Sequence, residues 1–149
     1  MVYGNAAPGN INSLIKLVKK LPIIPLGGIE NKRSFLSIQN LCYTINEVIE
    51  QNKSGIFLAS DDKPLSTSKL IELIAKNLDK KVYLVKIPFF ESLLKLVKPS
   101  FHKRLYGSLE VDNRLTKQKL HPKGTSCGRF KNPYTVEEGI SLMIRGEDS

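Results

Sequence analysis

The stretch that most constrains the fold is LPIIPLGGIENKRSFLSIQNL, residues 21–41. Its two prolines and the Gly27-Gly28 pair exclude a helix over the first half, which is therefore predicted to be an extended segment and a turn. RSFLSI, residues 33–38, predicts a short strand, and the apolar spacing over residues 40–52 predicts a helix. Extended chain, strand and helix in direct succession are typical of an α/β protein.

The segments on either side continue this alternation. NINSLIKLVKK predicts an amphipathic helix, SGIFLAS a buried strand, KVYLVKIP a strand ending at Pro88, and GSLEVD a short extended piece. Further helices are predicted after a cap at Ser66 or Thr67, in FFESLLKLV before a stop at Pro99, after a cap at Asp112 or Asn113, and after a capping box of Thr135 with Glu138. Because the strands are too few and too short for a complete doubly wound sheet, we predict a small α/β domain with packed helices.

The composition is that of a globular protein without a membrane span. The chain has 149 residues, which favours one domain, and 41% of them are hydrophobic. No run of apolar residues is long enough to cross a membrane, and the signal-peptide pattern is absent, so we expect no membrane partner. Cys42 and Cys127 match no metal-ligand spacing, so we expect no metal site, free thiols and a cytoplasmic location.

The net charge of +9, from 23 basic and 14 acidic residues, indicates an anionic partner or a solvated basic surface. The basic residues are scattered in pairs, and the aromatic residues do not interleave with them as an RNA-stacking surface requires. A polyphosphate ligand is therefore favoured over nucleic acid.

The chain carries no evident catalytic motif. His102 and His121 have no nucleophile beside them and are interpreted as histidines that lie at the surface or support a neighbouring side chain. The two aspartates at residues 61–62 follow the pattern of a turn, and the triplet SCG at residues 126–128 that of a loop. Neither of the glycine-rich motifs that bind nucleotide phosphates occurs.

Four segments in order carry a family resemblance. VYGNAAPGN at residues 2–10, the stretch at 21–41, YGSLEVDNRLTKQKL at 106–120 and TVEEGI at 135–140 resemble the C-terminal part of the extended short-chain dehydrogenase/reductase family. Within this family, the segments resemble those of the NAD-dependent nucleotide-sugar epimerases and dehydratases. The resemblance is greatest to the branch that acts on UDP-N-acetylated sugars in bacterial surface polysaccharide synthesis. The resemblance implies the fold of the family's small substrate-binding domain, without its Rossmann domain.

The resemblance also implies a site for a nucleoside-diphosphate sugar. Arg33 and Arg104 would clamp the pyrophosphate, to which an arginine fork can donate two parallel hydrogen bonds. Lys103 is an alternative to Arg104, and a surface salt bridge is an alternative role for Arg33. Asn10 would contact the nucleotide at a helix start, or simply cap that helix.

The nucleoside would lie along the segment IPLG, residues 24–27, which includes Leu26. Backbone groups of this segment would read the edge of the uracil. Asp112 would accept a hydrogen bond from a ribose hydroxyl, or act as a helix cap.

Family members bind NAD in an N-terminal half that carries a catalytic Tyr-x-x-x-Lys. None of the five tyrosines here is followed four residues later by a lysine. We therefore expect residues 1–149 to be the C-terminal sugar-nucleotide-binding domain, with residues 1–4 a stub of the missing NAD-binding domain. Alone, the chain is expected to bind no NAD and to be inactive, with no catalytic residue of its own.

Removal of that partner domain would leave apolar surface exposed. The predicted helix at residues 40–52 is apolar over more than one face, so we expect self-association with Leu41, Ile45 or Val48 in the contact. Two alternatives are a basic module that binds nucleic acid, which rests on the charge alone, and a regulatory partner of a separate Rossmann-bearing chain.

Overall fold

The computed structural model describes residues 1–4, 10–121 and 131–147. Within them the helices are α1 (Asn10–Lys20), α2 (Ile38–Glu50), α3 (Thr67–Asn77), α4 (Phe90–Val97), α5 (Pro99–Tyr106), α6 (Arg114–Leu120) and α7 (Val136–Glu147). The strands are β1 (Val2–Tyr3), β2 (Ile23–Ile24), β3 (Leu36–Ser37) and β4 (Tyr83–Leu84).

The strands form two parallel pairs. β1 pairs with β3, with Val2 opposite Leu36, and β2 pairs with β4, with Ile23 opposite Tyr83. Each pair joins segments far apart in the sequence, as parallel pairing requires. The predicted class, a small α/β domain of short strands and packed helices, is confirmed.

The core lies where α1, α3 and α7 pack together. On α3 the predicted apolar stripe is buried at Leu70, Ile71 and Ile74. On α7 the absence of a side chain at Gly139 lets the ring of Tyr3 lie against the helix, because a Cβ there would come within 2.5 Å of the tyrosine oxygen. This contact fixes β1 against the helical layer.

Two predicted helix caps are confirmed. Ser66 is the N-cap of α3, and its side chain accepts a hydrogen bond from the Lys69 N–H at 3.2 Å. Before α7, the Thr135 hydroxyl accepts from the Glu138 N–H at 3.3 Å, and the Glu138 carboxylate accepts from the Thr135 N–H at 2.7 Å. The second pair is the reciprocal capping box that the sequence predicts.

The prediction of a buried strand at SGIFLAS was wrong. The segment is irregular, and Ile56 is 83% exposed. Its backbone makes no strand ladder: the Leu58 N–H donates to the hydroxyl of Thr116, and the segment meets β3 at its end, where the Asp61 N–H donates to Phe35 O. A short apolar run becomes a strand only when a neighbouring strand supplies partners along its length.

The prediction that Pro99 simply stops a helix was incomplete. α4 ends at Val97 as expected, but Pro99 is the first residue of a further helix, α5. Proline is suited to this position because the first N–H groups of a helix have no partner within it. The resulting α4–α5 pair lies over the core and closes one side of a cavity.

Candidate functional site

A cavity of about 360 Å³ lies between α1, α3 and the α4–α5 pair. Three of the five residues predicted to bind the nucleotide sugar line it: Leu26, Arg33 and Arg104. Most of its wall is apolar and includes Leu14, Leu17, Leu21, Leu70, Phe90 and Leu94. Two arginines at the wall of a largely apolar cavity suit a ligand with an anionic and a flat apolar part.

Arg33 is held firmly by its backbone. Its N–H donates to Leu65 O at 3.0 Å and its carbonyl accepts from the Leu65 N–H at 3.0 Å, while a parallel bridge joins it to Leu109. The side chain reaches the end of α5, where Nη1 donates to the carbonyls of Arg104 at 2.6 Å and Gly107 at 3.2 Å. The guanidinium also carries N–H groups on Nε and Nη2, which suit an anion.

The end of α5, which carries Arg104, is held by two more polar side chains. Asn31 is buried and donates from Nδ2 to the carbonyls of Leu105 and Gly107, each at 3.0 Å. Thr67, at the start of α3, donates its hydroxyl to Leu105 O at 2.6 Å. Together with Arg33 they bind the carbonyls of Arg104, Leu105 and Gly107, so the backbone that carries Arg104 is fixed beside Arg33.

The backbone around Leu26 is already hydrogen-bonded within the protein. Leu26 O accepts from Ser68 Oγ at 2.7 Å, Ile24 O accepts from the Val85 N–H at 3.0 Å, and the Gly27 N–H donates to Val85 O at 3.1 Å. Pro25 has no N–H. These bonds occupy three of the segment's backbone groups, and toward the cavity the segment presents the apolar surface of Pro25 and Leu26. That its remaining backbone groups read the edge of a uracil stays a prediction.

Asp112 does not reach this cavity. It lines a separate depression with Ser60 and Asp62, and its carboxylate accepts from Arg114 Nη2 at 2.7 Å and from the Arg114 N–H at 3.0 Å. These hydrogen bonds lower the pKa of Asp112 to about 2. Asn113 holds the N-cap position of α6, but its side chain makes no capping hydrogen bond. The Asp112 carboxylate instead accepts from the N–H of Arg114, the first residue of the helix.

Asn10 is the first residue of α1, which lines the cavity through Ser13, Leu14 and Leu17. The Asn10 side chain lies outside the described part of the structure, as does the triplet at residues 126–128.

The two histidines lie outside the cavity. His121 Nε2 is 3.0 Å from Glu47 Oε2, and His102 Nε2 is 3.2 Å from Glu91 Oε1. His102 also stacks on Tyr106, with ring centroids 4.9 Å apart. Each ring has a carboxylate partner and no nucleophile among these contacts.

A buried polar network around Asp61 joins β1, β3 and α2, and the sequence patterns did not predict it. The Asp61 carboxylate accepts from the Tyr3 hydroxyl at 2.9 Å, from Asn40 Nδ2 at 2.7 Å and from the Ser37 N–H at 3.2 Å. All four residues are buried. Burial, and then the Asp61 charge, raises the pKa of Tyr3 far above its usual range. The signal was present in the Asp61 position just after an apolar run, but it was interpreted as a turn.

Neither a metal-ligand cluster nor a membrane-spanning helix occurs in the part of the chain that the structure describes. No group of three or more histidine, cysteine or acidic side chains is placed to hold a metal ion. No described helix is both long and apolar enough to cross a membrane.

The chain is similar to known proteins in sequence and in fold. No protein-family model matches the chain. It is 35% identical over 148 residues to the UDP-glucose 4-epimerase of Vibrio cholerae, a match that takes in 94% of this chain and 42% of that protein. The chain thus spans less than half the length of this curated relative.

Two solved structures share the fold. The dTDP-4-dehydrorhamnose reductase of Bacillus anthracis, solved with NADP, matches with a TM-score of 0.65 and 17% identity over 97% of this chain and 45% of its own. A candidate epimerase of Burkholderia cenocepacia matches with a TM-score of 0.56 and 13% identity over 99% of this chain and 45% of its own. The predicted relationship is confirmed: in sequence and fold, the chain is similar to the C-terminal part of an extended short-chain dehydrogenase/reductase of the nucleotide-sugar epimerase type.

Proposed function

We propose that this chain binds the nucleoside-diphosphate sugar in an NAD-dependent epimerase or dehydratase. The observation that carries the proposal is the cavity in which Leu26, Arg33 and Arg104 meet, although 71 positions separate the two arginines. A nucleoside diphosphate has a flat base and two charged phosphates, which match the two kinds of wall that this cavity offers.

The pyrophosphate takes the position between the two arginine side chains. Arg33 offers N–H groups beyond those that bind the α5 carbonyls, and its backbone is fixed by two hydrogen bonds to Leu65 and by the bridge to Leu109. Arg104 adds a second positive charge, and Asn10 adds a contact at the N-terminus of α1, where helix N–H groups favour an anion. Charge-assisted hydrogen bonds of this kind are about twice as strong as neutral ones.

The base lies against the apolar wall that Pro25 and Leu26 form with α1. This placement uses side-chain surface and leaves the hydrogen-bonded backbone of the segment undisturbed. Binding energy gained from the nucleotide, far from the reacting carbon, then serves to orient the sugar. Asp112 has no part in this pocket.

The sugar nucleotide is a UDP-sugar, and the finer proposal is a UDP-N-acetylhexosamine. The name of the Vibrio cholerae relative, a UDP-glucose 4-epimerase, supports uridine. The N-acetyl group rests on the resemblance of the sequence segments alone. Tighter binding of UDP-N-acetylglucosamine than of UDP-glucose would support this finer choice. Tighter binding of UDP-glucose would overturn it.

NAD belongs to the proposed whole enzyme and not to these residues. The sequence contains neither a glycine-rich dinucleotide motif nor a Tyr-x-x-x-Lys, so the chain does not fit NAD and no hydride step is assigned to it. In this proposal residues 1–149 are a substrate-binding domain, and the enzyme works in the cytoplasm.

Calorimetric titration of the purified chain with UDP tests the proposal. We expect weak but saturable binding that weakens with added salt, because the arginines act partly through charge. Adenosine diphosphate serves as the matched ligand, with the same pyrophosphate and a larger base. Equal affinity for both nucleotides, or no binding of UDP, would contradict a uridine site.

A further inference from the structure

α4 presents an apolar stripe to solvent. Leu93, Leu96 and Val97 lie on one face of the helix, and Phe89, one turn before Leu93, continues that face. All four side chains are largely exposed, with Phe89 at 85% and Leu96 at 83%. The helix contains no fully buried residue, and only its other edge, at Phe90 and Leu94, faces the cavity.

The apolar face of α4 is thus wider than the part of it that packs against the core. Phe90 and Leu94 suffice to hold the helix against the core, so the exposed stripe does not serve the fold of the described residues. Contiguous apolar surface on a protein of this kind marks an interaction site.

The charge around the stripe identifies the chemistry of the partner. Residues 86–103 contain four basic residues, Lys86, Lys95, Lys98 and Lys103, and one acid, Glu91. The basic residues are exposed, whereas Glu91 contacts His102. An apolar stripe flanked by basic residues is complementary to a partner whose outer layer is anionic and whose layer directly below is apolar.

From these observations we propose that α4 docks on an anionic phospholipid membrane, with the stripe among the acyl chains and the lysines at the headgroups. The helix lies on the surface and does not span it. Lysine stems can cover apolar surface while their charged ends remain at the phosphates. The absence of a spanning segment, on which the expectation of no membrane partner rested, does not bear on docking of this kind.

Flotation of the purified chain with phospholipid vesicles tests this proposal. We expect binding to vesicles that contain phosphatidylglycerol, little binding to phosphatidylcholine alone, and loss of binding at high salt. Leu96→Glu should lower the partition coefficient by about tenfold or more, since it places a charge in the stripe. Leu115→Glu is the matched control, because Leu115 is 71% exposed on α6, and it should bind as the parent does.

Three outcomes would overturn the proposal: no binding to anionic vesicles, equal binding to neutral ones, or equal binding by the Leu96→Glu variant. A concentration-dependent dimer that Leu96→Glu abolishes, in the absence of vesicle binding, would assign the stripe to a second copy instead. Since Leu96 is exposed, both variants should fold, which circular dichroism checks.

Discussion

The hydroxyl of Tyr3 donates a 2.9 Å hydrogen bond to the carboxylate of Asp61, 58 positions further along the chain. Both residues are buried, and the Tyr3 ring also meets Phe35 edge-on with centroids 6.2 Å apart. The bond ties β1 to the loop that precedes α3. An ionised tyrosine could not make it, because phenolate has no proton to donate.

The Tyr3 hydroxyl should make stability fall at alkaline pH. Burial and Asp61 raise its pKa, so the native state keeps a proton that the unfolded state loses above about pH 10. The stabilisation is complete below that pH and declines as pH rises, by up to about 1.4 kcal/mol per pH unit. Urea unfolding from pH 8 to 11 measures this slope.

Tyr3→Phe should lower the free energy of unfolding by about 1–3 kcal/mol at neutral pH, because Asp61 loses a buried donor. The same variant should flatten the alkaline decline. Tyr83→Phe is the control, since Tyr83 is exposed and should leave both the stability and the slope unchanged. An alkaline slope as steep in Tyr3→Phe as in the parent would show that other groups cause it.

Asn40, like Tyr3, belongs to the buried network around Asp61, and its side chain should also contribute to stability. Its amide donates to Asp61 Oδ1 at 2.7 Å and to Tyr134 O at 2.9 Å, and accepts from the Tyr134 N–H at 3.1 Å. Asn40→Ala removes these bonds and should cost about 1–3 kcal/mol of unfolding free energy. Asn46→Ala, on the exposed side of α2, should change it by less than about 0.5 kcal/mol. Similar losses in both variants would refute this account.

Local sequence patterns predicted the elements whose determinants are local. The stripe at Leu70, Ile71 and Ile74 and the capping box at Thr135 appear where periodicity and capping chemistry placed them. The run around Ile56 failed because strand formation depends on a partner strand, which spacing within the run cannot reveal.

The candidate site was predictable to a smaller extent. Arg33 and Arg104 were linked only through the family resemblance, and the structure places both at one cavity. Asn31 and Thr67, which hold the end of α5, were missed because their partners lie 74 and 38 positions away. The role of Asp61 was missed for a similar reason, because its partners Tyr3 and Asn40 lie 58 and 21 positions away. An aspartate in this sequence context also fits a turn.

Arg33→Ala should weaken UDP binding by about 1.5–3 kcal/mol, the usual contribution of a hydrogen bond to a charged group. Titration calorimetry at low ionic strength gives this difference directly. Arg104→Ala should weaken binding in the same direction, because its side chain lines the same cavity.

Arg114→Ala is the matched control for charge, since Arg114 pairs with Asp112 outside the cavity. It should leave the UDP affinity unchanged. Because Arg33 also bonds the α5 carbonyls, the melting temperature of each variant is measured alongside. UDP affinity in a folded Arg33→Ala chain equal to that of the parent would remove Arg33 from the proposed site.

The outer face of α2 should mediate self-association. Ile38, Leu41, Ile45 and Val48 repeat at alternating spacings of three and four residues, as in the seam of a coiled coil. Ile45 is 50% exposed, and Ile49 beside it is 70% exposed, so the seam is open to solvent. Burying it against a second copy would remove this apolar surface from water. Sedimentation velocity over the micromolar range should show a concentration-dependent dimer.

Ile45→Lys should shift this equilibrium to the monomer, because it places a charge in the centre of the seam. Leu96→Glu should leave the dimer intact, since Leu96 belongs to the separate stripe on α4, and so it distinguishes the two apolar surfaces. The half-exposed position of Ile45 allows the lysine to fold without strain, which the melting temperature verifies. A parent chain that sediments as a monomer at every concentration, and does not differ from Ile45→Lys, would show that the α2 seam binds no second copy.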